Sequence, residues 1–190
     1  MGDRLLEAVD FSLPLLGILP PREANRELQG FMADLGILFE SQISLTSTDM
    51  NPTEAVEQAG LVVLAGGDSL HWLEALDRTA LEESLLRQLG GGGMVLALGA
   101  PGAALGSWIL PAEGEKIKIG LGWMPGGIVL PGIGDPSTLP QVLELLVSKI
   151  RSYALGLLPE TALAVGPEGE VEVWSSMPPT LMLGKGWSAE

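Results

Sequence analysis

The stretch Gly99-Ala100-Pro101-Gly102-Ala103-Ala104 has almost no side-chain volume, and it is the place in this chain best laid out for chemistry. It follows Met94–Leu98, a short apolar run with the pattern of a strand covered on both faces, and it opens a predicted helix. The loop Gly90 to Gly93 leads into that strand. A chain that drops from a central strand into a helix through so small a corner has the layout of a nucleophile elbow. The apex residue stands above the sheet, and the helix N-terminus offers N–H groups to an oxyanion. Here the apex is Ala100. A methyl group cannot attack a carbonyl, so the layout is that of an acyl-transfer site without its nucleophile.

Other groups that could take part are few. Ser107 is the nearest hydroxyl, but seven positions beyond Ala100 it is expected along the helix and away from the apex. The single histidine, His71, lies one turn into another predicted helix beside Trp72 and reads as a surface or partly packed residue. Glu113 and Glu115 fall in an irregular segment whose charge pattern is that of a solvated loop. A second turn, Gly66-Gly67-Asp68-Ser69, leaves a second apolar run, Leu61–Ala65, and also opens a helix. Open α/β sheets bind ligands at the carboxyl ends of their strands, so Gly67, Asp68, Ser69, Gly99, Ala100 and Pro101 are expected to cluster as the ligand-facing residues. Neither turn fits G-x-G-x-x-G or carries the Gly-Lys-Ser/Thr of a P-loop, and no cofactor is expected.

Composition narrows the classes further. The 190 residues make one α/β domain, 1–190, the default expectation, and 46% hydrophobic content is ample for its core. With 24 acidic and 10 basic residues the formal charge is −14, which argues against a nucleic-acid backbone or an anionic membrane surface as partner. The absence of cysteine excludes disulfides, thiolate metal sites and a Cys nucleophile, and one histidine excludes a multi-His metal site within one chain. The N-terminal MGDRLLEAVDF lacks the apolar core of a signal peptide, and no apolar run reaches the length of a membrane span. A cytoplasmic protein is expected.

The elements that must hold these turns alternate. A short helix over 2–11, with Leu5, Leu6 and Val9 on one face, precedes a strand over 13–19. A helix over 22–35 and a strand over 37–45 follow, then a short helix over 53–59. The run 61–65, the helix carrying Leu70, Leu73 and Leu76, and a helix over 80–89 lead to the elbow. Beyond it come irregular structure with short strands over 107–121, a strand over 128–130, and a helix over 139–153 with Val142, Leu145, Leu146 and Ile150 on its apolar face. A β-hairpin closes at Pro167-Glu168-Gly169, and 180–183 adds a last strand. Apolar strands alternating with amphipathic helices predict a three-layer, mostly parallel α/β sheet with a C-terminal hairpin.

The segment AGLVVLAGGDSLHWLEAL followed by LGGGGMVLALGAPGAALG resembles the dipeptidase E / cyanophycinase family of serine peptidases, which implies the flavodoxin-like sheet that this family shares with the class I glutamine amidotransferases. GLGWMPGGIVLPGI, ALGLLPETALAVGPEGEVEVWSS and LPPREANRELQGFMADLG are similar to further segments of that family, in the same order, from about Leu13 to Trp174. The family's elbow reads Gly-x-Ser-Ala-Gly-Ala. Its serine position is Ala100 here, its catalytic His position is Gly132, and Glu113 or Glu115 is the nearest match to its acid. The resemblance therefore implies a non-catalytic homologue that keeps the elbow scaffold and a cleft for a small peptide or amino-acid-like ligand. Two alternatives stay open: an active peptidase or amidase with an unrecognised nucleophile, and a structural or interaction subunit, with a homodimer as its simplest assembly.

Overall fold

The fold is known from a computed structural model that describes residues 2–20, 30, 33, 41–44, 52–112, 115–175 and 177–187. The chain divides into two compact units, Met1–Pro101 and Gly102–Glu190.

The first unit is built on four parallel strands. Helix α1 (Gly2–Ala8) precedes β1 (Leu15–Leu19); β2 (Ser41–Ser44), α2 (Pro52–Gln58), β3 (Leu61–Ala65), α3 (Ser69–Leu76), α4 (Ala80–Gly90) and β4 (Met94–Leu98) follow. The order across the sheet is β2-β1-β3-β4, and all three pairings are parallel. β1 and β3 are the inner strands, and every one of their side chains is buried, which is why each reads as an unbroken apolar run. Thr79 starts α4 by accepting the Glu82 N–H on its hydroxyl, and Gly91 ends it.

Two expectations in this unit change, and two others fall largely outside the described residues. Met94–Leu98 is a strand, as predicted, but each of its residues is half-buried, because β4 is the edge of the four-stranded sheet. In α1, Leu5 and Val9 lie four residues apart and are buried, whereas Leu6, a third of a turn away, is 44% exposed. The strand predicted over 37–45 is described only at Ser41–Ser44, and the helix predicted over 22–35 lies outside the described residues except at Gly30 and Ala33.

Helix α5 (Ala100–Ala104) runs from the end of the first unit into the second. The second unit then contains β5 (Gly106–Ile109), β6 (Lys118–Ile119), β7 (Met124–Pro131), α6 (Pro140–Ser148), β8 (Tyr153–Leu157), the hairpin β9 (Leu163–Val165) and β10 (Val171–Val173), and β11 (Thr180–Leu183). A five-stranded sheet has the order β11-β8-β7-β5-β6, parallel at its centre and antiparallel at both edges. Its core gathers Ile128 and Leu130 of β7, Ala154 of β8, and Val142, Leu145 and Leu146 of α6.

Two predictions in this unit are corrected. The helix after the elbow ends at Ala104, so Ser107 lies in strand β5. The carbonyls of Ala104, Leu105 and Gly106 accept from the N–H groups of Leu121, Met124 and Gly122, at 3.0, 3.0 and 2.9 Å, and so cannot continue a helix. Helix α6 stops at Ser148, and Ile150 is 74% exposed instead of packed on the apolar face. Arg151, with φ +56°, turns the chain there, and its N–H donates to the Lys185 carbonyl at 2.7 Å.

Candidate functional site

The register of the first unit brings the two glycine turns to one end of the sheet. Ala65 at the end of β3 pairs with Leu98 at the end of β4, so Gly66–Ser69 and Gly99–Pro101 leave adjacent parallel strands side by side. This is the clustering expected of Gly67, Asp68, Ser69, Gly99, Ala100 and Pro101 at carboxyl strand ends.

Each turn has a local cause. Gly66 and Gly67 both take left-handed backbone, φ +76° and +69°. The fully buried Trp72 donates its indole Nε1–H to the Gly66 carbonyl at 2.6 Å. A Cβ on Gly67 would stand 2.9 Å from Pro20 Cγ and 3.3 Å from the Trp72 nitrogen, so this position is closed to larger residues by packing as well as by φ. Asp68 is the N-cap of α3. Its Oδ1 accepts from the N–H groups of Leu70 and His71, at 3.0 and 2.9 Å. The carboxylate thus already occupies the positive end of that helix. Ser69, at the first helical position, is buried.

At the second turn the left-handed residue is Gly99, with φ +71°, and no atom lies within 4 Å of where its Cβ would be. Ala100 is half-buried and is the first residue of α5, in helical backbone. In a nucleophile elbow the strain sits on the nucleophile itself; here it sits on the residue before. Pro101 follows in the first turn of the helix, where its missing N–H costs no intrahelical bond. Its lack of an N–H also removes the donor that the residue after a nucleophile supplies to an oxyanion. The turn offers space and a sharp bend, with neither an attacking group nor that donor.

The remaining candidates are Gly132, Glu115, Glu113 and His71. Gly132 belongs to the second unit, just past the end of β7. Its N–H donates to the Leu157 carbonyl at 2.7 Å, its φ is +80°, and its missing Cβ faces open space. Glu115 is exposed in a turn, its N–H donating to the Ala112 carbonyl at 3.1 Å, while Glu113 lies outside the described residues. His71 is half-buried on α3. Among the described residues no group of three or more His, Cys, Asp or Glu side chains could hold a metal ion, and no helix is long and apolar enough to cross a membrane. Sequence reading missed one feature, an apolar cavity in the second unit. Its only sequence signal was the small size of the residues in α5.

No family model matches the chain, and no curated protein does. Solved structures do. A peptidase from an acI-B1 Actinobacterium superposes with a TM-score of 0.65 at 18% identity, over 96% of this chain and 87% of that one. A protein of Listeria monocytogenes EGD-e, provisionally assigned as a peptidase E, gives 0.63 at 14% identity, over 92% of this chain and 93% of that one. At these identities the likeness is one of fold. The chain has the α/β, mostly parallel architecture of peptidase E-type proteins.

Proposed function

We propose that this chain is a non-catalytic relative of the dipeptidase E / cyanophycinase-type serine peptidases. In this reading it keeps the strand–turn–helix scaffold and a cleft for a small peptide or amino-acid-like ligand. The carrying observation is the turn after β4, where Ala100 occupies the apex and Pro101 follows it. Serine-type acyl transfer needs a hydroxyl, a base within hydrogen-bond reach and donors aimed at the developing oxyanion. Ala100 lacks the first, Pro101 lacks one of the donors, and the position of the resembled family's base is Gly132, which has no side chain. The glycine turns at the ends of β3 and β4 support a retained scaffold: the first is held by Trp72 packing and the Asp68 cap, the second by the left-handed backbone of Gly99, and neither needs a catalytic residue.

Fluorophosphonate labelling of the purified full chain tests this reading, together with hydrolysis of a panel of dipeptides. No labelling and no cleavage above the uncatalysed rate is the expected result. Stoichiometric labelling would overturn it and would favour an active hydrolase with a nucleophile elsewhere. An assembly role draws on a separate observation: Val147 and Ile150 are each 74% exposed and Leu143 is 41% exposed along α6 and the turn after it. A homodimer is the simplest assembly of that kind, and light scattering across a concentration series reads it directly.

A further inference from the structure

The second unit holds a cavity of about 180 Å³ beside the carboxyl end of β7. Val129, Leu130 and Pro131 at the end of β7 line it, and Leu130 also belongs to the core packed with α6. Leu110 and Pro111 after β5, and Ile133 after β7, complete most of the wall. Ala103 of α5 closes one side with only a methyl group. A five-residue helix made of alanine, proline and glycine is too short and too slender to fill the face it lies against. The cavity is thus a consequence of the same small residues that make the turn after β4 so tight.

The chemistry of the wall selects the occupant. None of its described lining residues carries a charged or hydroxyl-bearing side chain, and apolar surface forms the larger part of the wall. An ionised carboxylate or ammonium entering such a site would meet backbone polar atoms but no counter-charge among these residues. An apolar cavity of about 150 Å³ is known to admit a benzene ring. The volume here is of the same order and below the roughly 300 Å³ of a whole-ligand pocket, so it suits one side-chain-sized group.

We infer that this cavity binds a single uncharged apolar group, of the size of a benzene ring or a branched aliphatic side chain. An amino-acid-like ligand would therefore be held here by an apolar side chain and not by an acidic one. The inference rests on the reading of a surviving ligand cleft only for that last identification. Probe labelling reads the turn at Ala100 and the experiment below reads the cavity, so either can fail alone.

The test is a titration of the full-length protein with benzene, and in parallel with benzoate, followed by methyl ¹H–¹³C NMR. Saturable shifts confined to the methyl groups of Ala103, Leu110, Val129, Leu130, Ile133 and their neighbour Ala112 are expected with benzene, and at least tenfold weaker binding with benzoate. Ala103→Leu should weaken benzene binding at least tenfold by filling the cavity. Ile133→Phe fills it from another lining position and serves if Ala103→Leu does not fold. The absence of saturable shifts, shifts centred on exposed residues such as Val147 and Ile150, benzoate binding as tight as benzene, or undiminished binding in a folded filled variant would each overturn the inference.

Discussion

The hydroxyl of Ser107 accepts the N–H of Gly126 at 2.9 Å and donates to the carbonyl of Met124 at 3.2 Å. It does so where the β5–β7 ladder shifts register between Gly106 and Trp108, so one side chain replaces hydrogen bonds that the backbone cannot make there. The sequence-nearest hydroxyl after Ala100 is committed to holding two strands together. Gly126 is committed as well: its φ is +72°, and a Cβ would stand 2.5 Å from the Arg151 carbonyl.

Ser107→Ala should therefore act on stability and not on chemistry. It leaves the Gly126 N–H without its partner in a half-buried position, and a loss of about 1 kcal/mol is expected by urea denaturation. Ser107→Thr, which keeps the hydroxyl, should lose less. An unchanged midpoint in Ser107→Ala would show that the hydroxyl is not needed at the register shift.

Asp68 was expected among the ligand contacts and is found capping α3, and the two roles make different predictions. A cap needs an acceptor oxygen; a salt link to a ligand needs the charge. Asp68→Ala should cost about 1 kcal/mol of stability, and Asp68→Asn should restore most of it, because asparagine caps as well as aspartate. Thermal unfolding of the three proteins reads this. Asn failing to rescue would mean that the charge, and not the cap, matters at this position.

Much of this architecture was legible in the sequence, and the failures share a cause. Leu61–Ala65 and the hairpin around Pro167–Gly169 were readable because strand burial and turn chemistry leave local patterns. The bend at Gly99 was readable because a strand-to-helix corner calls for left-handed backbone, which glycine adopts freely. The short α5 was not, since it is ended by N–H groups of residues 121–124, partners some fifteen or more positions away in the chain. The need for Gly67 was also hidden, because it comes from Trp72 and Pro20 closing in on the turn. Ile150 kept helical spacing with Val142 and Leu146, but the helix ends at Ser148 and extended backbone at Lys149 takes Ile150 off the core, where the chain is tied by the Arg151 N–H to the Lys185 carbonyl. In each case a tertiary contact overrode a local period.

The acid limb of stability should carry a local signature at Asp135. Ser137 donates to this exposed carboxylate, first through its hydroxyl and then through its backbone N–H, and holds its pKa below the ordinary 3.8. A group whose folded pKa is lowered adds stability that is complete above its unfolded value and is lost as pH falls through the folded one. Carboxyl ¹³C NMR should therefore place the Asp135 midpoint below 3.8, and Ser137→Ala should raise it. A midpoint that Ser137→Ala leaves in place would show that the hydroxyl does not hold the carboxylate.

The last prediction concerns restoring chemistry at the turn after β4. Ala100→Ser alone should remain unlabelled by a fluorophosphonate, because a serine hydroxyl at neutral pH is a weak nucleophile and a missing base costs on the order of a hundredfold or more. Adding Pro101→Ala returns a backbone N–H at the position that donates to an oxyanion, a donor worth roughly two to three orders of magnitude in rate. The double variant still lacks a base and should stay below detection. Gly132→His supplies an imidazole at the position where the resembled family carries its own. The residue there has φ +80°, so the histidine has room but must adopt left-handed backbone, and a stability loss of about 1–3 kcal/mol is expected. Of the series, the triple variant should be both the least stable and the first to label. Labelling of Ala100→Ser alone at the rate of the triple variant would show that a base other than residue 132 already serves this turn, and that the chain has lost less of its chemistry than proposed.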